Sequence, residues 1–312
     1  MDLEACLPVA LRERSPTLTK IAAGMSGAGV YRVHAGGDAY VLRLAGAAID
    51  PTAWRRQLAI ERRAADAGLA PRVLHVDEAR HAVVSAFVVD RSFPALLGNP
   101  ATHEAALDLL ARTFRRLHAL PIPEGATARD PRDLLAGAWP ELRAGYALPA
   151  FVDDLVRRVL DAPAPLDERA PVLGHNDPNP TNMVYDGTDL LLLDWDSAGP
   201  MHPYYDLAVV AMFLRMSDDV CCRLLSAYAG EPVAEPPESF RRFRRLSAVA
   251  CGAMIVRVAC LAGHPGDAAA TLEATPSLAD CYQGLRTGAF NIATGAGQWQ
   301  FGLALIKESA VL

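Results

Sequence analysis

Hydrophobic and polar residues alternate through much of the first 90 positions. Val30-Tyr31-Arg32-Val33-His34 and Ala39-Tyr40-Val41-Leu42-Arg43-Leu44 read as strands, with a turn at Gly36-Gly37-Asp38. Thr17 to Ala23 is also compatible with a strand. Residues 51–68 start at Pro51 and end at Gly68, the asymmetry expected of a helix. Two further strands are predicted near 72–77 and 82–89. Residues 1–90 therefore predict a small antiparallel sheet with one helix.

From Pro94 the rhythm becomes helical. A helix is predicted over 101–119, ending before Pro121-Ile122-Pro123, and another over 150–161. Residues 121–149 are rich in Pro, Gly and Ala and predict no regular element. A hairpin is expected over 172–194, with strands near 183–185 and 190–194 and Asp186-Gly187 as the turn. Helices follow at roughly 205–215, 218–230, 237–263 and 278–310, the last with breaks. The expected fold is α+β and bilobed: a β-rich lobe over 1–90 and a larger, mostly helical lobe over 91–312. The joint is placed near Val88 to Ser92.

The hairpin region carries the chemistry. It reads His175-Asn176-Asp177-Pro178-Asn179-Pro180-Thr181-Asn182, an apolar strand, then Asp194-Trp195-Asp196. Phosphoryl transfer needs a carboxylate beside the attacking hydroxyl and oxygen ligands for Mg²⁺. The kinase catalytic loop spaces these as His-x-Asp followed five residues later by Asn, and this chain keeps both spacings. Asp177 is the expected base. His175 joins the catalytic group as the residue that orients the loop backbone. Asn182 and Asp194 are expected metal ligands, with Asp196 as a further ligand or a supporting acceptor.

A nucleotide cradle must accompany such a loop. Gly24-Met25-Ser26-Gly27-Ala28-Gly29 lies between two strands, so Gly24, Ser26, Gly27 and Gly29 are expected to cover phosphates. Arg43 on the next strand is expected to pair phosphates and to meet Glu61 on the following helix. Arg is longer and planar where a kinase has Lys. Ala86 and Val88, at the end of the last strand, complete the nucleotide-binding set.

Through these residues the chain resembles the aminoglycoside phosphotransferase and choline kinase superfamily, which shares the protein-kinase-like fold. The resemblance rests on His175-Asn176-Asp177 through Asn182, on Asp194-Trp195-Asp196, on Asp206-Leu207-Ala208 and on Leu117-His118-Ala119-Leu120-Pro121. It implies an enzyme that moves the γ-phosphoryl group of ATP, in some members GTP, to a small-molecule alcohol with Mg²⁺. Asn176, where many aminoglycoside enzymes carry Gly, together with Asp194-Trp195-Asp196, leans toward the choline/ethanolamine branch. A choline-like cation would be held by aromatic faces, and Trp195, Tyr282 and Trp299 are expected to supply them beside Asp177. Acids are sparse late in the chain, which points the same way. An antibiotic acceptor, thiamine, or a nucleotide-binding module without turnover stand as alternatives. Retention of Asp177, Asn182 and Asp194 argues against the last. Twelve residues from Asp194 to Asp206 leave no activation segment for a protein acceptor.

Composition narrows the partners. The 312 residues are 51% hydrophobic and 21% charged, with net charge −6 and pI near 5.8. No electrostatic case exists for nucleic acid or an anionic membrane. The six cysteines form no C-x-x-C pair or zinc spacing and are expected to be reduced core thiols. Met1-Asp2-Leu3-Glu4 lacks the basic start of a signal peptide, and the apolar stretch 246–263 contains Arg257. A cytoplasmic protein with no membrane span is expected.

Overall fold

The computed structural model describes residues 2–21, 29–46, 49–126, 130–163 and 169–312. The chain forms two compact units. One comprises Met1–Thr127, Val172–Pro200 and Arg223–Pro232; the other comprises Ala128–Pro171, Met201–Cys222 and Val233–Leu312. The sequence reading put the joint between lobes near residue 90. The first compact unit takes in the N-terminal sheet and the hairpin region, and within it Leu192 N–H donates to the Leu69 carbonyl at 2.8 Å.

The first unit opens with a short helix α1 (Val9–Arg12) and strands β1 (Thr17–Lys20), β2 (Gly29–Ala35) and β3 (Asp38–Leu44). Gly36 and Gly37 both have positive φ, the conformation a two-residue hairpin turn requires and glycine adopts without strain. Helix α2 (Pro51–Asp66) follows, with Asp50 capping the N–H groups of Thr52 and Ala53 and Pro51 at the first helical position. Strands β4 (Val73–Asp77) and β5 (Ala82–Ala86) complete an antiparallel sheet of order β1-β2-β3-β5-β4.

Side chains alternate across this sheet. Leu42, Leu44, Ala82 and Val84 face one way, onto Cys6, Leu7 and Leu11. Val83 faces the other, onto Trp54 and Leu58 of α2. Arg43 pairs in register with Val83 and lies between Leu42 and Leu44, so it points to the helix side. On α2 the buried stripe Trp54, Leu58, Glu61 has helical spacing. A basic strand residue and an acidic helix residue are thus aimed at one another by two periodicities.

Helices α3 (Phe93–Gly98) and α4 (His103–His118) come next. The second unit starts with α5 (Pro131–Gly145) and α6 (Ala150–Asp161). Helix α5 occupies a stretch where the sequence predicted no element. It is capped by Asp130 and started by Pro131, and Pro140 sits inside it. Strands β7 (Met183–Tyr185) and β8 (Leu190–Leu192) form the hairpin, and β6 (Val172–Gly174) before it pairs with β9 (Gly199–Met201) after it.

The remaining helices are α7 (Pro203–Phe213), α8 (Asp218–Ala229), α9 (Glu238–Leu261), α10 (Leu278–Thr287) and α11 (Gly295–Glu308). Helices α9 and α11 approach closely at Gly252 and Gly302. A Cβ on Gly252 would stand 2.6 Å from the Gly302 carbonyl oxygen, so neither position admits a side chain. Stretch 246–263 is core helix as expected, and among the described residues no helix is long and apolar enough to cross a membrane. Cys6, Cys221, Cys260 and Cys281 are buried, and no disulfide joins any of the six cysteines. Burial pushes the Cys221 and Cys281 thiols up to about 11.

Candidate active site

Strand β6 delivers His175 into the core, where it is 0% exposed. Its ring packs edge-on against Trp195 with centroids 4.7 Å apart. Nε2 lies 2.9 Å from the Leu193 carbonyl. A carbonyl only accepts, so Nε2 carries the proton. Nδ1 then accepts the Asp177 N–H at 3.4 Å. His175 therefore links the backbone at Asp177 to the residue before Asp194.

Asn176 has φ +67°, a left-handed conformation. Asn and Gly enter that region far more readily than other residues. Its side-chain Nδ2 donates to the Ser197 carbonyl at 2.9 Å and the Gly199 carbonyl at 3.3 Å.

The Asp177 carboxylate is held at both oxygens. Asn179 Nδ2 donates to Oδ1 at 3.0 Å and Asn182 Nδ2 donates to Oδ2 at 3.2 Å. Asn182 Nδ2 also reaches the Asp177 carbonyl at 3.0 Å. Asn179 caps a 3-10 turn over Pro180–Asn182, its Oδ1 accepting from the Thr181 N–H. Asn179 had no role in the sequence reading. The signal was present: an Asn directly before Pro is a common turn start.

Because the Asn182 NH₂ faces Asp177, its carbonyl oxygen is the end left to face a ligand. The Asn182 main-chain carbonyl accepts from Leu193 N–H at 2.8 Å, which ties the loop to the strand leading into Asp194. The hairpin turn forms at Asp186 as expected. The N–H groups of Asp189 and Thr188 hold the Asp186 carboxyl below its ordinary range.

Asp194 also has positive φ, +62°, and its side chain caps no helix. A non-glycine residue held there is a strained position of the kind that gathers at functional sites. Across from it, Arg43 Nη2 forms an ion pair with Glu61 Oε2. The Glu61 side chain is 8% exposed and that of Arg43 27%. Burial alone would lower the Arg43 pKa. Glu61, Asp196 and Asp194 outweigh it and hold the guanidinium above its ordinary value. Arg43, Glu61, Asp194 and Asp196 thus share one electrostatic neighbourhood, although Asp196 itself is exposed.

Among the described residues, no three His, Cys, Asp or Glu side chains gather into a metal cage. Mg²⁺ does not need one: it commonly takes one or two protein ligands and completes its shell with phosphates and water. One amide oxygen and one carboxylate, Asn182 and Asp194, fit that pattern.

The model of the phosphotransferase enzyme family matches residues 17–238, more than two thirds of the chain. The chain belongs to that family. It is a small-molecule phosphotransferase of kinase-like α+β fold. No curated protein matches it in sequence. Among solved structures, a choline/ethanolamine kinase family protein from Mesorhizobium loti matches with TM-score 0.65 and 19% identity, over 97% of this chain and 94% of that one. Choline kinase LicA from Streptococcus pneumoniae gives 0.59 and 15%, over 95% and 94%. An aminoglycoside-3'-phosphotransferase of type VIII gives 0.57 and 22%, over 76% and 95%.

The other expected site residues of this phosphotransferase are placed as follows. Gly24, Ser26 and Gly27 lie outside the described residues. Gly29 opens β2 opposite Leu44, and a Cβ there would stand 3.1 Å from the Tyr31 ring. Ala86 ends β5 and donates its N–H to the Arg72 carbonyl at 2.9 Å; Val88 follows, half-buried.

The three aromatics expected to face a substrate are committed to packing. Trp195 is 1% exposed, its N–H bonded to Leu192 and its ring to His175. Trp299 is stacked on His264, with ring centroids 4.6 Å apart, inside a core cluster of the second unit. Tyr282 packs against a different cluster there, and its hydroxyl donates to the Phe213 carbonyl at 2.9 Å. Burial raises its phenol above the ordinary value. Trp195 and Trp299 have no open ring face to offer a cation.

Proposed function

We propose that this phosphotransferase moves the γ-phosphoryl group of ATP to a hydroxyl of a small amino alcohol of the choline or ethanolamine kind. The observation that carries the chemistry is the Asp177 carboxylate, oriented at both oxygens by Asn179 and Asn182. In this reading Asp177 accepts the hydroxyl proton as the oxygen attacks phosphorus, and ADP leaves. Asn182 and Asp194 would hold Mg²⁺, which supplies charge neutralisation across the phosphates when bound. Arg43, anchored by Glu61, would pair the phosphates. Gly24, Ser26, Gly27, Gly29, Ala86 and Val88 would line the nucleotide in a lobe formed by residues 1–90, with 91–312 carrying catalysis and the acceptor.

Solved structures of both branches follow this chain along nearly its whole length, a choline/ethanolamine kinase family protein over 97% and an aminoglycoside phosphotransferase-like protein from Ralstonia eutropha over 96%, so the lean to an amino alcohol rests on the Asp194-Trp195-Asp196 wording and the few acids late in the chain. LicA is also known with AMP bound, in keeping with an adenine nucleotide here. A panel of choline, ethanolamine, thiamine and several aminoglycosides, scored by kcat/KM with MgATP, tests the acceptor. Choline or ethanolamine is expected to lead. An aminoglycoside leading while both are inert would move the enzyme to the antibiotic branch.

The Arg43–Glu61 pair gives a separate expectation. Glu61→Gln removes the charge that anchors the guanidinium. A hydrogen bond to a charged group is worth about 1.5–3 kcal/mol, so KM for MgATP should rise about tenfold or more. KM for the acceptor should stay unchanged. Steady-state kinetics with each substrate varied in turn would check the split, and an unchanged KM for MgATP would assign phosphate pairing elsewhere.

A further inference from the structure

Asp194 is followed at once by the 3-10 turn Trp195–Ser197. The last carbonyls of such a turn have no partner within it. Two of them are met by side-chain amides from different elements. Asn176 of the catalytic loop donates to the Ser197 carbonyl at 2.9 Å. Gln57 of α2 donates through Nε2 to the Asp196 carbonyl at 2.7 Å. The stretch after Asp194 is thus gripped by the catalytic loop through one carboxamide and by α2 through another.

The Gln57 contact has a defined sense. Its partner can only accept, so the NH₂ end must face it. The other end, Oε1, is buried and has no hydrogen-bond partner among the described residues. The side chain is therefore fixed by its donor alone. Gln57 also stands four residues before Glu61, on the same face of α2. Glu61 holds Arg43. One helix face therefore carries both the anchor of Arg43 and a grip on the backbone beside Asp194.

We propose that Gln57 is a positioning residue that sets α2, and with it the Arg43–Glu61 pair, in fixed register with Asp194 by holding the Asp196 carbonyl. It acts through Arg43 and Asp194 and touches no reacting atom. This rests on the phosphate and metal roles proposed above for those two residues. Loss of the Gln57 amide would leave each charged group intact but free the distance between them, so MgATP binding should suffer and the acceptor should not.

Gln57→Met tests this, because Met matches the length and packing of Gln and lacks the donor. Hydrogen exchange of backbone amides in the protein without nucleotide gives a readout independent of turnover. Amides over residues 195–199 should exchange about tenfold faster, the equilibrium effect of roughly one lost hydrogen bond, while those of β5 stay as in the wild type. KM for MgATP should rise several-fold with acceptor KM unchanged. Wild-type exchange over 195–199 together with wild-type KM for MgATP would overturn the proposal. So would faster exchange spread equally over β5, which would mark Gln57 as a packing residue. Failure of the underlying roles is read on other variants: normal turnover in Asp194→Asn removes the metal role whatever Gln57→Met does.

Discussion

Replacing Asp177 with alanine is expected to lower kcat by about 10²–10⁴-fold, the usual worth of a positioned general base. Nucleotide affinity should stay within a few-fold, because Asp177 is assigned to the hydroxyl and not to the phosphates. The structure gives a reason to expect a clean result. The carboxylate accepts from Asn179 and Asn182, but both amides keep a second engagement when it is gone. Asn179 still caps the turn through Oδ1 to Thr181, and Asn182 Nδ2 still reaches the Asp177 main-chain carbonyl. The loop should therefore hold its shape. Asp177→Asn refines the test: it keeps volume and loses proton affinity, so it should be nearly as slow. Kinetics with MgATP and the best acceptor, alongside equilibrium nucleotide binding, would measure both halves. Turnover near the wild-type rate in Asp177→Ala would take the base out of the mechanism.

The shape of the candidate catalytic loop was legible in the sequence because its geometry is local. A cap at Asn179, a single 3-10 turn and a bond from Asn182 back to Asp177 fit inside eight residues, so spacing alone fixes the arrangement. The sheet was legible for a similar reason: alternation and Gly36-Gly37 set strands and turn together. Glu61 was partly legible. Taken within Glu61-Arg62-Arg63 it looks like a solvated charge, but it continues the stripe begun by Trp54 and Leu58 and is buried. Helix α5 escaped notice because Gly137 and Pro140 mask a proper start at Asp130-Pro131. Burial of Trp195 and Trp299 is decided by tertiary packing. Nothing local distinguishes a Trp that faces a ligand from one stacked on His264.

Asn176 has a backbone role that is separate from any role in substrate choice. Its backbone is left-handed, and that conformation is satisfied by Gly or Asn alike. A Gly would meet the same backbone requirement that Asn176 meets here. The Asn adds bonds to the Ser197 and Gly199 carbonyls, which brace the segment after Asp194. The residue thus speaks to how the loop is braced. Acceptor choice has to be read from the kinetics of a panel.

Asp194→Asn is expected to reduce turnover by about 10³-fold or more and to weaken MgATP binding, since a metal carboxylate supplies several kcal/mol of charge stabilisation. The choice of Asn matters. Asp194 sits at φ +62°, where Ala or a larger residue would add backbone strain to any loss of charge. Asn is one of the few side chains that accept this conformation, and it keeps the shape of Asp. The substitution therefore removes one negative charge and little else. It also takes a carboxylate from the field of Arg43, but Glu61 and Asp196 act more strongly on that guanidinium, so the Arg43–Glu61 pair should persist. Two measurements separate the effects. Calorimetric titration with MgATP should show weakened binding, whereas titration with metal-free ATP should change little. A thermal melt without ligand should match the wild type closely. If MgATP binds Asp194→Asn as tightly as the wild type, the ion is held elsewhere, and Asp194 must instead serve to shape the turn that Gln57 and Asn176 grip.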